Sequence, residues 1–254
     1  MKDTAVLLLH GYSGAPFEME FLADGLRQRG LPAFIPTLPG HDTTFADFQS
    51  TRFPDWLQKS EETFLKLRKE FSRVVLLGFS MGGTLALSIG AKFDPAAIVC
   101  VAAPICLQPW KFWRGTDRRL PFLSLLRWVT PVLTTRPPRP ASRAIAPWKG
   151  YEGQIALHPL HSLIRGLRRT RKQLGDIQAP LLVLHGKRDR LVHPDNAWWI
   201  LRESGSRLKR LELIYLAETL TSGHTLTTHR ECKQVLLERC FSFFQEALRD
   251  ESVI

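Results

Sequence analysis

The chain reads as a doubly wound α/β protein: a mostly parallel six-stranded sheet between layers of helices, with a helical cap inserted before the fifth strand. Three observations lead there. Six short runs rich in Val, Ile and Leu recur along the 254 residues. They are apolar throughout rather than in alternation, as expected of parallel strands covered on both faces. The segments between them space their apolar residues as helices do. One segment breaks the rhythm and is too long to be a plain connection inside a compact domain.

In order, AVLLL from Ala5 is the first strand, and the helix Phe17 to Arg29 stops at Gly30, a residue suited to closing a helix. AFIPT from Ala33 is the second strand. The helix Pro54 to Phe71 opens on a proline, whose missing N–H is no loss in a first turn. VVLLG from Val74 is the third strand, Met81 to Phe93 the small, apolar helix after it, and AIVCVAA from Ala97 the fourth strand. LLVLH from Leu181 and LELIYL from Leu211 are the fifth and sixth strands. A helix Ala197 to Glu203 lies between them, and a long amphipathic helix His229 to Arg249 follows. Strand and helix in repetition imply right-handed crossovers in one sheet.

The exception runs from Pro104 to about Gln178 and holds WKFWRG, LPFLSLLRWV, TTRPPRPASRAIAPW and HSLIRGLRRTRKQL. The core is therefore expected over residues 1–104 and 179–254 and the cap over 105–178, with TTRPPRPAS extended. Between Ile105 and Gly175 there are 14 Lys and Arg against two acids, Asp117 and Glu152, whereas the rest of the chain holds 21 basic and 22 acidic residues. The excess of +11 thus sits in the cap. Such a face suits solvent, an anionic lipid surface or an acidic substrate. Nucleic acid is not expected, because no binding motif accompanies the charge. The cap aromatics Trp110, Phe112, Trp113, Phe122, Trp128 and Trp148 pack a small helical unit or line an acyl pocket.

Composition excludes several classes. A chain 44% hydrophobic and 23% charged is not disordered. No apolar run approaches the roughly 18 residues that span a bilayer, and the run in MKDTAVLLLHGYSG is too short for a signal-peptide core, so a soluble cytoplasmic protein is expected. Cys100, Cys106, Cys232 and Cys240 show neither C-x-x-C nor zinc spacing and read as buried free thiols.

LHGKRDRLVHPDN, Leu184 to Asn196, gathers Asp189, Asp195, His185 and His193 and first suggests a metal site or an acid/base pair. The stronger signal is G-x-S-x-G, Gly78 to Gly82, directly after a strand and before a helix. Ser80 there must occupy a sharp, strained turn that lifts its hydroxyl clear of the sheet, which makes it a candidate nucleophile. The helix that begins at Met81 offers free amides to a forming oxyanion.

A serine hydroxyl needs a base, and the base an orienting carboxylate. Both must come from loops at the carboxyl ends of strands, the edge Ser80 occupies. His10 and His185 end strands, His41 follows a turn, His158 and His161 lie in the cap, and His193 precedes a helix. His224, in TSGHTLT after the last strand, has small neighbours Ser222 and Gly223 and can reach over the edge. Its competitor, His229, is assigned a surface place at a helix start. Among the acids after Ser80, Asp94 and Asp176 precede strands, Asp117 and Glu152 lie in the cap, and Glu203 and Glu212 belong to a helix and a strand. Asp195 stands where a helix N-cap belongs. Asp189 leaves the fifth strand in the required loop; spacing alone leaves Glu218 open.

HGYSGAP, LPGHD, GFSMGG, HGKRDRLV and SGH, in that order, resemble the α/β-hydrolase superfamily, in particular small bacterial carboxylesterases and monoacylglycerol lipases. The likeness covers nearly the whole chain except the cap, and two leading edge strands of larger relatives are missing. It implies a Ser80, Asp189, His224 triad, backbone oxyanion donors at Tyr12 and Met81, and a cap that shapes an acyl pocket. The implied activity is hydrolysis of a small acyl ester through an acyl-enzyme, without metal or cofactor. The same triad also serves thioester, lactone, amide and carbon-carbon cleavage. A silent scaffold binding lipid or protein is disfavoured by three intact groups.

Overall fold

The computed structural model describes residues 3–107 and 123–249. Its elements begin with β1 (Thr4–Leu9), α1 (Phe17–Gln28), β2 (Ala33–Phe34), α2 (Phe45–Ser50), α3 (Phe53–Glu70), β3 (Arg73–Phe79), α4 (Met81–Phe93) and β4 (Ala97–Val101). The inserted segment contributes α5 (Leu123–Val129), β5 (Val132–Thr134), α6 (Pro140–Ile145), β6 (Gln154–Ala156) and α7 (Leu157–Lys172). Then come β7 (Leu181–Gly186), α8 (Asp195–Glu203), β8 (Lys209–Ile214) and α9 (Lys233–Ala247).

The sheet has six parallel strands in the order β2-β1-β3-β4-β7-β8. Side chains alternate across it, so neighbours in one strand enter different cores. Leu7, Leu9, Val74 and Leu76 pack with α3, α4 and α8. Val6, Leu8, Val75 and Leu77 pack with α1 and α9 on the opposite face. Every residue of β1 and all but the first of β3 are buried, which explains their unbroken apolar runs. The chain runs from β1 outward to β2, then crosses back to β3 on the other side of β1. That reversal opens a crevice beyond the carboxyl ends of β1 and β3, where ligands of open α/β sheets bind.

Several boundaries differ from expectation for local reasons. α2 was not anticipated: six residues with only Phe48 buried are too few for periodicity. A capping box makes it, with Asp47 N–H donating to Thr44 Oγ1 at 3.1 Å and Thr44 N–H to Asp47 Oδ2 at 3.2 Å. α9 begins at Lys233, not His229, because His229 turns inward and is fully buried. β2 is only two residues long.

The inserted segment was expected to be helical, with TTRPPRPAS extended. It instead includes a two-stranded antiparallel ribbon, β5 on β6, with Leu133 opposite Ile155. α6 starts at Pro140, so only residues 135–139 of the proline-rich stretch lack regular structure. Trp110, Phe112, Trp113, Asp117 and Phe122 lie outside the described residues.

α7 seats this segment on the core. Leu163 and Leu167 enter the same cluster as Phe53 and Trp56, Phe53 N–H donates to Ser162 Oγ at 3.1 Å, and Ser88 and Thr170 hydroxyls meet at 2.7 Å in the buried interface. A Cβ on Gly166 would lie 2.4–2.6 Å from the near end of the Phe53 ring, which has little freedom to withdraw. Gly166→Ala is therefore expected to lower unfolding free energy by about 1–3 kcal/mol, the cost of overpacking. Urea denaturation followed by circular dichroism measures it; an unchanged midpoint would show that the contact yields freely.

Candidate active site

Ser80 sits between β3 and α4 with φ 51° and ψ −122°, a backbone that L-residues avoid. Its surroundings hold it there. Ser80 N–H donates to Val101 O at 2.8 Å, tying the turn to β4, and Ser80 O accepts from Gly83 N–H at 2.9 Å as α4 begins. The glycines of the elbow are steric requirements. A Cβ on Gly78 would lie 2.2 Å from Gly82 O, and one on Gly82 would lie 2.0 Å from Leu9 O. No side chain fits at either place.

His224 Nε2 lies 2.9 Å from Ser80 Oγ, and its Nδ1 lies 2.6 Å from Asp189 Oδ2. The three residues come from the ends of β3, β7 and β8, as the strand-end argument required. Asp189 is fully buried in its side chain. Its Oδ1 accepts from Leu191 N–H at 2.8 Å and Val192 N–H at 2.9 Å. Burial opposes ionisation, but the charge on His224 and hydrogen bonds from His185 and His224 outweigh it, holding the carboxyl well below its usual range. An ionised Asp189 only accepts, so His224 Nδ1 carries a proton, and in the neutral imidazole Nε2 accepts from the Ser80 hydroxyl. That is the protonation state of a general base poised on a nucleophile.

Close packing of the loops makes the distance possible. Gly223 has φ 74°, and a Cβ there would meet Arg188 O at 3.1 Å. Arg190 N–H donates to Ser222 O at 2.9 Å, stapling the Asp189 loop to the His224 loop. Phe79 backs the imidazole at 5.2 Å between ring centres.

The four residues of LHGKRDRLVHPDN separate cleanly. His185, fully buried, donates through Nε2 to Val192 O at 3.0 Å and faces Asp189 Oδ2 at 3.4 Å. It thus supports the Asp189 turn as well as ending β7. His193 is exposed and accepts from Asp195 N–H at 3.3 Å. Asp195 is not the N-cap that sequence suggested: Pro194 holds that position, and Asp195 is the first helical residue. Among the described residues no group of three or more His, Cys, Asp or Glu is placed to hold a metal ion.

The residues left open also resolve. Glu218 meets His229, not His224: His229 Nε2 donates to Glu218 Oε1 at 3.0 Å, while its Nδ1 accepts from Glu231 N–H at 3.2 Å. His229 is therefore an interior residue, against the surface place assigned to it. Burial opposes the charge on Glu218, but bonds from Thr221, His229 and Leu220 prevail and hold its pKa at about 2. His10 and His41 pack edge to face at 4.8 Å. Burial is the main cause of their low pKa values, about 3 and about 4, so both are neutral at physiological pH.

Tyr12 and Met81 border the same pocket as Ser80. Neither backbone N–H is taken by an acceptor among the described residues. Tyr12 is fixed by its side chain, which packs on Phe48 and Trp56 and donates its hydroxyl to Ala156 O at 3.0 Å. The pocket encloses about 490 Å³ between the sheet edge and the inserted segment, with Leu107, Leu123, Leu126, Leu133, Leu160 and Leu163 among its walls.

A family model described as serine aminopeptidase, S33 (Hydrolase_4), matches residues 2–217. The chain belongs to this α/β-hydrolase family. The hydrolase is 28% identical over 240 residues to the thermostable monoacylglycerol lipase of Bacillus sp. (strain H-257), covering 94% of this chain and 89% of that one. It is 23% identical over 230 residues to a carboxylesterase of Bacillus subtilis (strain 168), with 90% and 87% covered. Among solved structures, one reported for the metagenome-derived lipolytic enzymes LipS and LipT matches with TM-score 0.81 at 24% identity over 96% of this chain and 94% of that one. A soluble variant of the monoglyceride lipase of Saccharomyces cerevisiae matches with TM-score 0.77 at 17% identity, over 96% and 87%. The resemblance read from the five motifs thus holds, and the protein is a hydrolytic enzyme with the α/β-hydrolase fold.

The contrast between Asp189 and Asp195 is measurable. Asp189→Asn is expected to lower kcat by about 10⁴-fold, because the amide stabilises the wrong tautomer of His224. Asp195→Asn should leave kcat within about twofold and stability within about 0.5 kcal/mol, as for an uninvolved surface position. Steady-state kinetics on both variants decide it, and equal losses would rule out the assignment of Asp189 as the orienting acid.

Proposed function

We propose that the hydrolase cleaves carboxylic esters of short or medium acyl chain, monoacylglycerols among them, through a Ser80, His224, Asp189 triad. The observation that carries this reading is the continuous hydrogen-bonded series from Ser80 Oγ through His224 to buried Asp189, opening on an apolar pocket. His224 takes the Ser80 proton as Oγ attacks the ester carbonyl, and Asp189 stabilises the imidazolium that forms. The amides of Tyr12 and Met81 receive the tetrahedral oxyanion, each contributing about 3 kcal/mol as such donors do elsewhere. The alkoxide leaves with the proton from His224. Water, deprotonated by the same imidazole, then hydrolyses the acyl-enzyme and restores Ser80.

Pocket chemistry favours esters over peptides with a free amino terminus, the substrates the family's description names. Binding an ammonium needs an uncommitted carboxylate. The two acids that line the pocket among the described residues are both engaged: Glu18 by Gly11 N–H at 2.7 Å, and Glu152 by Arg143. The leucine walls instead suit an acyl chain. The names of the bacterial relatives, monoacylglycerol lipase and carboxylesterase, support the same class.

The proposal extends to where the substrate is met. On α5, Leu125, Trp128 and Val129 are 69%, 69% and 76% exposed. α7 packs beside α5 and presents exposed Arg165, Arg168, Arg169 and Lys172. An apolar tip flanked by cations fits an anionic lipid surface. No helix among the described residues is long and apolar enough to cross a membrane, so the contact proposed is peripheral.

Two experiments test these readings. A fluorophosphonate should label the wild-type protein stoichiometrically and Ser80→Ala not at all, and p-nitrophenyl butyrate hydrolysis should vanish in the same variant. Full activity in Ser80→Ala would sink the mechanism, and a thioester or lactone turned over faster than any ester would reassign the substrate. Separately, vesicles containing phosphatidylglycerol should sediment the protein, and Leu125→Glu with Trp128→Glu should weaken that binding at least tenfold. Equal binding to neutral phosphatidylcholine vesicles would remove the electrostatic part of the proposal.

A further inference from the structure

Glu18 takes no part in the relay, yet it is 1% exposed in the wall of the same pocket. A carboxyl group so deeply buried costs free energy unless donors meet it. One does: Gly11 N–H, in the loop after β1, donates to Oε2 at 2.7 Å. The Trp148 indole, in the segment after α6, faces the same carboxyl group. Space around the group is closed: a Cβ on Gly14 would lie 2.4 Å from Oε2, and one on Gly11 would lie 3.1 Å from it.

Each of these neighbours leads to a functional element. Gly11 stands between His10 and Tyr12, so fixing its amide restrains the peptide unit that carries the Tyr12 N–H. Trp148 belongs to a stretch fastened to the same loop elsewhere. Tyr151 N–H donates to Ser13 O at 3.1 Å, and Tyr151 hydroxyl donates to Gly40 O at 2.7 Å. Arg143 lies over the Trp148 ring at 4.7 Å and pairs with Glu152.

We propose that Glu18 is a positioning residue for ester hydrolysis, holding the loop that carries the Tyr12 amide and joining it to the inserted segment through Trp148. The proposal rests on the assignment of Tyr12 as an oxyanion donor. It also places a titrating group at this junction. Burial raises the Glu18 pKa to about 7, against the opposing effects of the Gly11 bond, the Trp148 indole, and His224 and Arg143 nearby. Those two residues, from the loop after β8 and from α6, are the titratable and charged groups that face it. A carboxyl group whose pKa is higher folded than unfolded stabilises the fold fully below its unfolded pKa and loses that contribution as pH rises through the folded value. The window is therefore pH 4.5 to about 7.

Glu18→Gln tests the idea, since it replaces one carboxyl oxygen with an NH₂ donor in a closed site that faces the Gly11 N–H and the Trp148 indole. Kinetics use p-nitrophenyl butyrate, after fluorophosphonate labelling has established that wild-type Ser80 reacts. Glu18→Gln is expected to lower kcat at least tenfold with KM changed less than threefold. Thermal unfolding should show wild-type Tm falling between pH 5 and pH 8 more steeply than that of the variant. Trp148→Phe should lower kcat at least threefold, and the double variant should lose no more than Glu18→Gln alone, as coupled sites behave. Wild-type kcat in Glu18→Gln, or losses that multiply in the double variant, would overturn the proposal. If Glu18→Gln does not fold, Trp148→Phe alone decides, with unchanged kcat counting against it. A wild-type protein that is neither labelled nor active overturns the ester-hydrolase reading as well, whereas an active one with indifferent variants overturns only the role of Glu18.

Discussion

The backbone of Ser80, held at φ 51° where L-residues rarely go, is the constraint from which the site follows. Strain of this kind costs about 1–3 kcal/mol and persists only where neighbouring structure enforces it. Here the enforcement is collective. β3 enters from a sheet position buried on both faces, α4 leaves as an apolar helix buried along most of its length, and Val101 O holds the amide between them. The glycines at 78 and 82 matter for the same reason: the turn is so tight that backbone occupies the space their side chains would need. Relaxing the turn would drag β3 or α4 out of the core, so the exposed hydroxyl is maintained by burial elsewhere.

A second constraint concerns two carboxylate–histidine pairs set close in the chain. Asp189 with His224 and Glu218 with His229 are chemically alike, and both carboxyl groups are held in the charged form. What distinguishes them is access. The first pair points its free nitrogen at Ser80, while the second has both imidazole nitrogens occupied, one by Glu218 and one by the amide of Glu231. A histidine with no free nitrogen cannot act as a base. The second pair instead secures the stretch between β8 and α9, from which His224 reaches inward.

Those pairings mark where sequence became insufficient. Continuous apolar runs revealed all six strands, and α4 was bounded correctly because its apolar face and the elbow glycines coincide. Strand-end position singled out Ser80 and His224 and put Asp189 forward beside Glu218, and the five motifs implied the same three residues that the fold brings together. The pairing of Glu218 with His229 was not legible, since ten intervening positions in an irregular loop give no periodicity from which to infer contact. Asp195 was misread because an Asp beside a helix start resembles a cap, whereas Pro194, with φ near −57°, already begins the helical path. The β5–β6 ribbon was hidden by its length, three residues a strand, too short for alternation to register. Glu18 gave no signal: two positions into a helix, an acid is ordinary for dipole reasons alone. Only the fold reveals that this one faces inward.

The inserted segment is more than a cover, because the residues that bind it to the core are those beside the chemistry. Tyr12 contributes its backbone to the pocket and its hydroxyl to Ala156 of β6. Ser13, one residue on, accepts from Tyr151. Glu18 meets Trp148. Three contacts from the seven residues Tyr12 to Glu18 thus reach two parts of the insertion, so a shift of that segment would be felt first at the loop after β1. Gly11 and Tyr12 also sit at the switch point where the sheet reverses direction, the one place a crevice must open. Placing the attachment there ties the wall of the pocket that the insertion supplies to the loop bearing the Gly11 and Tyr12 amides, without any separate relay between them.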